Sequence, residues 1–226
     1  MSGAAAFFDL DRTLLSSSSS LALAGSFRER GLIGRRQLVK AGIAQFFFTR
    51  FGAGHGRAGQ TADAAMSVLK DLPVATMREI VRDAWKPVLR PLVYREALEL
   101  AEEHRARGEP VLVVSGALQE VVDELALGLG LTGALGSRAE VRDGVYTGRL
   151  ERRLIGPEKA VALGELADAE GHDLQSSTAY SDSATDLAFL EAVGSPVVVN
   201  PDRELRRIAR ERGWPVRRFR RRLGSS

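Results

Sequence analysis

Four short apolar runs along the chain each end at polar residues, a pattern that predicts buried strands. They cover residues 4–8, 110–114, 177–180 and 196–199. Helical periodicity precedes the second run and follows the last three, over residues 91–107, 118–127, 184–193 and 204–212. Because parallel strands are joined by helices that cover the sheet, this alternation predicts an α/β core with a parallel sheet and helices on both faces.

Between the first run and residue 91 the pattern changes to helices alone. The periodicity predicts helices over residues 20–29, 35–50, 60–70 and 75–85. An insertion of about 75 residues is too long for a loop and predicts a small separate domain. We therefore expect a core of residues 1–16 and 89–226 and an inserted helical domain of residues 17–88. Elsewhere, Arg142-Asp143-Gly144-Val145 is a hairpin signal.

Composition narrows the chemistry that such a core can carry. The 226 residues include no Cys and three scattered His, which excludes disulfides and a Cys nucleophile and argues against zinc. Asp9 and Asp11 interrupt the N-terminal apolar run, and no run of about 18 apolar residues follows. We therefore expect a cytoplasmic protein without a signal peptide or membrane span, and any metal should be a hard ion held by oxygen.

The basic charge of the chain is confined to its C-terminal end. The whole sequence has 32 Lys+Arg and 29 Asp+Glu, a net charge of +3. From residue 203 onward ten Arg and two Glu give +8, so residues 1–202 carry −5. We expect residues 217–222 to form a solvated tail, with contact to nucleic acid or an anionic membrane as the alternative.

Acidic residues follow two of the predicted strands. Asp9 and Asp11 come after the first strand, and Asp182 and Asp186 come after the third. Ligands of open α/β sheets bind beyond the carboxyl ends of the strands, so these four carboxylates should meet at one edge. Like charges so close together need a cation, and with oxygen ligands alone the fitting ion is Mg²⁺.

Groups suited to binding phosphate are expected at the same edge. Ser115 and Gly116 end the second strand and should open a helix, which offers a hydroxyl and N-terminal amides to an anion. Lys159 adds an ammonium at another helix start. Together with the carboxylates and Mg²⁺, these donors predict a phosphoryl-transfer site. Because the sequence has no Cys and no paired Ser and His, we assign Asp9 as nucleophile and Asp11 as general acid and then base.

These motifs, in this order, resemble the four motifs of the haloacid dehalogenase (HAD) superfamily. They are Phe7-Phe-Asp9-Leu-Asp11-Arg-Thr13-Leu, Val114-Ser115-Gly116-Ala, Lys159 and Tyr180-Ser-Asp182-Ser-Ala-Thr-Asp186-Leu. The helical insertion is similar to the type 1 cap of that superfamily. Over nearly its whole length the chain resembles branch IB, the phosphoserine-phosphatase-like proteins that include histidinol-phosphate phosphatases.

The resemblance implies a Rossmann-like core and a Mg²⁺-dependent phosphomonoester hydrolase that works on a small molecule through a phosphoaspartate. The site residues that it implies are metal ligands (Asp9, Asp11 through its main-chain carbonyl, and Asp182), phosphate ligands (Ser115, Gly116 and Lys159) and supporting residues (Thr13 and Asp186). Asp186 would orient either Lys159 or a water on the metal.

Two departures from the superfamily pattern bear on the site. Phosphoserine phosphatases have a Glu shortly after the first motif that meets the substrate amine, whereas residues 14–20 here hold no carboxylate. Phosphoserine is therefore disfavoured, and amino-alcohol, sugar and lysolipid phosphates stay open as substrates. Thr185 stands where the superfamily often has Asn.

Three other functions stay open as alternatives. A phosphomutase or phosphotransferase of the same fold would pass the phosphate to an organic acceptor. A receiver-like module would be phosphorylated without turnover, although Asp11, an acid placed for a leaving group, argues against it. An anion-binding module would rely on the arginines that follow Val216.

Overall fold

A central sheet organises the computed structural model, which describes residues 3–34, 66 and 69–224. The strands of this sheet are Ala6–Phe8 (β1), Val111–Leu118 (β2), Gly133–Arg142 (β3), Val145–Arg152 (β4), Thr178–Ser181 (β5), Ser195–Val199 (β6) and Val216–Arg217 (β7). Their order is β4-β3-β2-β1-β5-β6-β7, and all neighbours are parallel except β3 and β4. The predicted Rossmann-like α/β class is confirmed, with an antiparallel strand added at one edge.

Helices pack on the sheet from both sides. The α-helices of the described residues are Ser19–Glu29 (α1), Val74–Ala84 (α2), Arg95–Ala106 (α3), Gln119–Leu129 (α4), Pro157–Glu170 (α5), Leu187–Glu191 (α6) and Arg203–Arg212 (α7). Phe7 and Phe8 of β1 belong to two different buried clusters, as alternation along a strand covered on both faces requires. Across the described ranges, every helix is too short or too polar to span a bilayer.

The end of β2 differs from the sequence prediction. Ser115 and Gly116 do not open a helix, because β2 continues to Leu118 and α4 begins at Gln119. The pairing of β2 with β3 shifts register between Val114 and Leu118, which marks a bulge in the strand. Ser115 and Gly116 therefore lie in an irregular strand end, without helix N-terminal amides of their own.

The helix predicted over residues 184–193 is also interrupted. Ala184–Asp186 form a 3₁₀ turn, and α6 follows as a separate short helix. The Asp202 carboxylate accepts the backbone N–H of Ala184 at 2.9 Å, and the hydroxyl of Ser183 accepts that of Thr185. These side-chain acceptors hold the tight turn in place before the α-helix starts.

Two of the four helices predicted for the insertion fall on described residues. α1 and α2 lie close to the predicted ranges 20–29 and 75–85, and they contact each other. The helix predicted over residues 35–50 lies outside the described residues. Of the one predicted over 60–70, the structure describes residues 66, 69 and 70, and Met66 and Leu69 are buried. The division into a core and a domain of residues 17–88 stays a prediction.

The hairpin signal at residues 142–145 is confirmed. Arg142 pairs with Val145 in the antiparallel ladder of β3 and β4. Asp143 and Gly144 have φ angles of 50° and 79°, as a two-residue turn of type I′ requires.

Residues 217–222 do not form the free, solvated tail that their composition predicts. β7 extends the sheet, and the Phe219 side chain is 5% exposed. The Asn200 amide donates to the Phe219 carbonyl at 3.1 Å and accepts its N–H at 3.0 Å. Beyond it, the backbone N–H of Leu223 donates to the carbonyl of Val93 at 2.9 Å. Main-chain pairing and one buried ring thus fix a strongly basic segment to the core.

Candidate active site

Parallel pairing brings the first and last motifs to one edge of the sheet. Phe8, the last residue of β1, is aligned with Tyr180 of β5. The backbone N–H of Asp9 continues this ladder by donating to the Tyr180 carbonyl at 2.9 Å. Asp9 and Asp182 therefore leave neighbouring strands at nearly the same level, and both are buried.

Lys159 links two of the carboxylates at this edge. Its Nζ atom donates to Asp9 Oδ1 and to Asp186 Oδ2, each at 2.7 Å, and the residue is 1% exposed. Burial alone would favour a neutral amine, but the charges of Asp186 and Asp9 outweigh it and raise the pKa of Lys159. The side chain is therefore an ammonium that fixes the direction of one Asp9 oxygen.

Asp186 holds Lys159 in place. The hydroxyl of Ser181, the last residue of β5, donates to Asp186 Oδ2 at 2.7 Å, the same oxygen that accepts from Lys159. Asp186 is itself buried at the end of the 3₁₀ turn. Of the two roles implied for Asp186, the observed contacts match the orientation of Lys159.

Negative charge exceeds positive charge around Asp9 and Asp182. Burial raises the pKa of both carboxyls, and the nearby charge of Asp9 adds to the rise at Asp182. Arg12 offsets this only in part, with its Nε atom 3.5 Å from Asp182 Oδ2. A buried pair of carboxylates that still lacks counter-charge has the donor chemistry that a hard divalent cation prefers.

The carboxylate of Asp11 is bonded to the start of α1. Its Oδ1 atom accepts the backbone N–H of Ser19, the first residue of α1, at 2.8 Å. Burial raises the pKa of Asp11 above the usual value. This geometry leaves the main-chain carbonyl of Asp11, and not its carboxylate, as the group that could join a metal site. It agrees with the finding that no three acidic or His side chains converge on a metal position within the described ranges.

Ser115 and Gly116 lie on β2, the other neighbour of β1. Ser115 is buried, and its hydroxyl accepts the backbone N–H of Ala117 at 3.2 Å. A Cβ atom at Gly116 would lie 3.1 Å from Ile155 Cγ1 and 3.3 Å from the Leu154 carbonyl, so a side chain there would crowd the loop before α5. No direct hydrogen bond joins Ser115 to the carboxylates among the described residues.

Sequence reasoning missed the polar residues that support this edge. The Ser137 hydroxyl donates to the Gly116 carbonyl at 2.8 Å and accepts the Leu154 N–H at 3.0 Å, which ties the β2 bulge to the loop before α5. The backbone N–H of Asp202 donates to the Asp182 carbonyl at 2.9 Å. Asp202 also caps α7, a role that its position before a helix signals, whereas nothing local signals the contact with Asp182.

Thr13 is the last polar residue of the first motif. It is fully buried, and its hydroxyl has no hydrogen-bond partner among the residues that the structure describes. The structure therefore places Thr13 at the site without giving its side chain a defined role.

Comparisons with known proteins place this site in a family. Residues 6–191 match the model of the haloacid dehalogenase-like hydrolases. A probable phosphatase of Mycobacterium tuberculosis is 44% identical over 215 residues, which are 95% of this chain and 75% of that protein. A phosphoserine phosphatase of the same species is 36% identical over 96% of this chain and 71% of its own length. A solved structure from Bordetella pertussis Tohama I has a TM-score of 0.81 at 28% identity, over 96% of this chain and 98% of that one.

The chain belongs to the haloacid dehalogenase-like hydrolase family, and within it to the phosphatases. The predicted resemblance and enzyme class are confirmed.

Proposed function

We propose that this phosphatase is a Mg²⁺-dependent phosphomonoester hydrolase that uses Asp9 as its nucleophile. The observation that carries the proposal is the buried contact of the Lys159 ammonium with Asp9 and Asp186, each at 2.7 Å, beside Asp182. Buried charges persist only when they are paired or bind a metal, and here the pairing is incomplete. An incompletely neutralised acid cluster at the carboxyl edge of a parallel sheet suits the transfer of a phosphoryl group.

The residues present fit a Mg²⁺ ion. Asp9, the main-chain carbonyl of Asp11 and Asp182 would hold it, because these oxygens belong to the two strand ends that meet at this edge. When bound, the ion supplies positive charge that screens the carboxylates from an incoming phosphate.

In the first step, Asp9 attacks the phosphorus atom with a carboxylate oxygen. The bond between phosphorus and the ester oxygen breaks, and the alcohol leaves with a proton donated by Asp11. The raised pKa of Asp11 favours the protonated form that this transfer needs. Lys159 favours the ionised form of Asp9 against the rise in pKa that burial causes, and Ser115 with Gly116 would bind the phosphate oxygens at the end of β2.

In the second step, water hydrolyses the phosphoaspartate. Asp11, now ionised, accepts a proton from the water as the water oxygen bonds to phosphorus and the bond to Asp9 breaks. Inorganic phosphate leaves, and Asp9 and the protonated Asp11 are restored. Asp186 contributes by keeping Lys159 in place through both steps.

We further propose that residues 17–88 form the cap and select a small phosphomonoester other than phosphoserine. Asp11 bonds the first turn of α1, so the catalytic loop and the start of this segment are linked directly. Ser18 and Ser20 bond each other at 2.8 Å through their hydroxyls, and residues 14–20 bring no carboxylate to meet a substrate amine. A phosphorylated sugar or a lysolipid phosphate without a free amine therefore fits the segment better than phosphoserine.

The test is a screen of phosphate release across a panel of phosphomonoesters, with Mg²⁺ or with a chelator. We expect release from at least one small phosphomonoester, abolished by the chelator and restored by Mg²⁺. Phosphate release that continues unchanged in the presence of the chelator would refute the metal dependence. Transfer of the phosphate to a second organic acceptor, with none free in solution, would identify a phosphotransferase instead.

A further inference from the structure

The arginines of residues 203–224, the C-terminal segment, differ in their partners. Some form ion pairs: Arg207 with Glu211, Arg212 with Glu191, and Arg221 with Glu96 and Glu99. Three others, Arg206, Arg210 and Arg218, have no carboxylate within ion-pair distance among the described residues. Arg206 donates to the Pro201 carbonyl at 3.0 Å, which leaves most of its guanidinium donors open.

These three arginines line one cleft. It has a volume of about 420 Å³, lies between α7 and β7, and is completed by Asn200, Pro201 and Val216. Arg206 and Arg210 are four residues apart on one face of α7, about 6 Å along the helix axis. Such a volume is typical of a pocket for a small ligand.

The cleft is held in shape by the core. Phe219, next to Arg218 in the chain, is buried against Tyr94, with ring centroids 5.7 Å apart. Asn200 holds the main chain of Phe219 by two hydrogen bonds and also lines the cleft. The backbone around the cleft therefore has little conformational freedom to lose when a ligand binds, which favours affinity.

We propose that this cleft binds a small ligand that carries two or more adjacent phosphate groups. A guanidinium offers paired donors that match phosphate oxygens, and three such groups without carboxylate partners match several phosphates in a row. None of the proposed catalytic or metal-binding residues lines the cleft, so it is a second site. The loop that includes Asn200 and Asp202 connects it to the Asp182 carbonyl.

The lining favours a small anion over a macromolecule. The apolar residues of this segment, such as Leu205, Ile208 and Phe219, are buried, and Val216 alone among the lining residues offers a large exposed apolar side chain. The cleft therefore offers little exposed apolar surface for insertion into a lipid bilayer. Among the described residues, no aromatic ring lines the cleft to stack on the bases of a single strand.

Calorimetric titration of the metal-free full-length protein with inorganic tripolyphosphate tests the proposal. We compare the wild type with Arg206→Gln, Arg210→Gln and Arg218→Gln, singly and combined. Each single change should weaken binding by about threefold to tenfold, and the triple variant should lose it, because charge-assisted hydrogen bonds disappear. Arg212→Gln is the matched control: it removes one positive charge from the same segment, but Arg212 does not line the cleft.

Each outcome of this titration decides the proposal. The proposal is supported if the triple variant no longer binds tripolyphosphate while Arg212→Gln binds it with nearly the affinity of the wild type. Equal weakening in Arg212→Gln would overturn it in favour of general charge attraction. Unchanged binding in the triple variant would overturn it because tripolyphosphate would then bind elsewhere on the protein. Tighter cleft-dependent binding of duplex DNA or anionic vesicles than of tripolyphosphate would overturn the small ligand. Phosphate release by the triple variant should match the wild type, so failure here is separable from failure of the proposed hydrolase.

Discussion

The acidic edge of the sheet and the arginine-rich C-terminal segment are both dense in charge, yet the fold treats them differently. At the acidic edge Asp9, Lys159 and Asp186 are buried, and Lys159 is bonded to both carboxylates. In the C-terminal segment Arg206 and Arg210 stay exposed, without carboxylate partners in the described part of the chain. Buried charges must be matched or they destabilise the protein, whereas exposed charges are solvated by water. Burial, and not charge density, therefore distinguishes the acidic edge from the C-terminal segment.

The two regions also differ in what holds them. A network of charged hydrogen bonds that centres on Lys159 positions the acidic edge. Phe219, Asn200 and main-chain pairing to residue 93 hold the C-terminal segment, while its ion pairs lie on the exposed surface. Substitutions in the two networks should consequently differ in size and in kind.

The largest effect is expected from Lys159→Met. This change leaves Asp9 and Asp186 buried without their shared cation, which should lower the free energy of unfolding by about 3–5 kcal/mol. Phosphate release should also be lost. Urea unfolding and a phosphate-release assay measure both effects, with Lys159→Arg as the variant that keeps the charge. A loss of stability no larger than that of an exposed ion pair would break the comparison.

Phe219→Ala should have the next largest effect on stability. Removing a buried ring typically costs about 3 kcal/mol, and here it also frees the segment that carries Arg218. Thermal unfolding measures this loss, with Val216→Ala as an exposed apolar control. Below its melting temperature the variant should keep phosphate release, because Phe219 lies outside the proposed active site. Unchanged stability would mean that the ring does not anchor the segment.

The smallest effect is expected from Glu96→Gln. Burial acts to raise the pKa of Glu96, but hydrogen bonds from the N–H groups of Arg220 and Arg221 prevail and lower it. A lowered pKa stabilises the fold at neutral pH, and this contribution disappears as the pH falls through the folded-state pKa. The free energy of unfolding at neutral pH should fall by about 1 kcal/mol or less, because the site is partly exposed. The difference in free energy of unfolding between the variant and the wild type should disappear in acid. A difference that grows there would contradict this assignment.

The sequence was sufficient for the features that depend on local pattern. Apolar runs predicted β1, β2, β5 and β6, and the turn residues at 142–145 predicted the hairpin. Asp9 follows the first run directly and Asp182 comes two residues after the third. The carboxyl ends of parallel strands meet at one edge, so the proximity of these two residues was predictable as well.

Features that depend on long-range contacts could not be predicted. The bulge at Ser115 arises from pairing with β3 and from Ser137, which has no local signature. The docking of Phe219 needs Tyr94 and Asn200, both of which are distant from it in sequence. The composition of residues 217–222 pointed to solvent because five arginines surround the single anchoring ring.

The most direct test of the account is to find the phosphate on the enzyme during turnover. The protein is mixed with a phosphomonoester that the screen identifies, quenched in acid and digested, and the peptides are analysed by mass spectrometry. We predict phosphate on Asp9 in the wild type, and neither label nor turnover in a folded Asp9→Asn variant. Steady phosphate release by Asp9→Asn, or a label on a different residue, would contradict the assignment of Asp9 as the nucleophile.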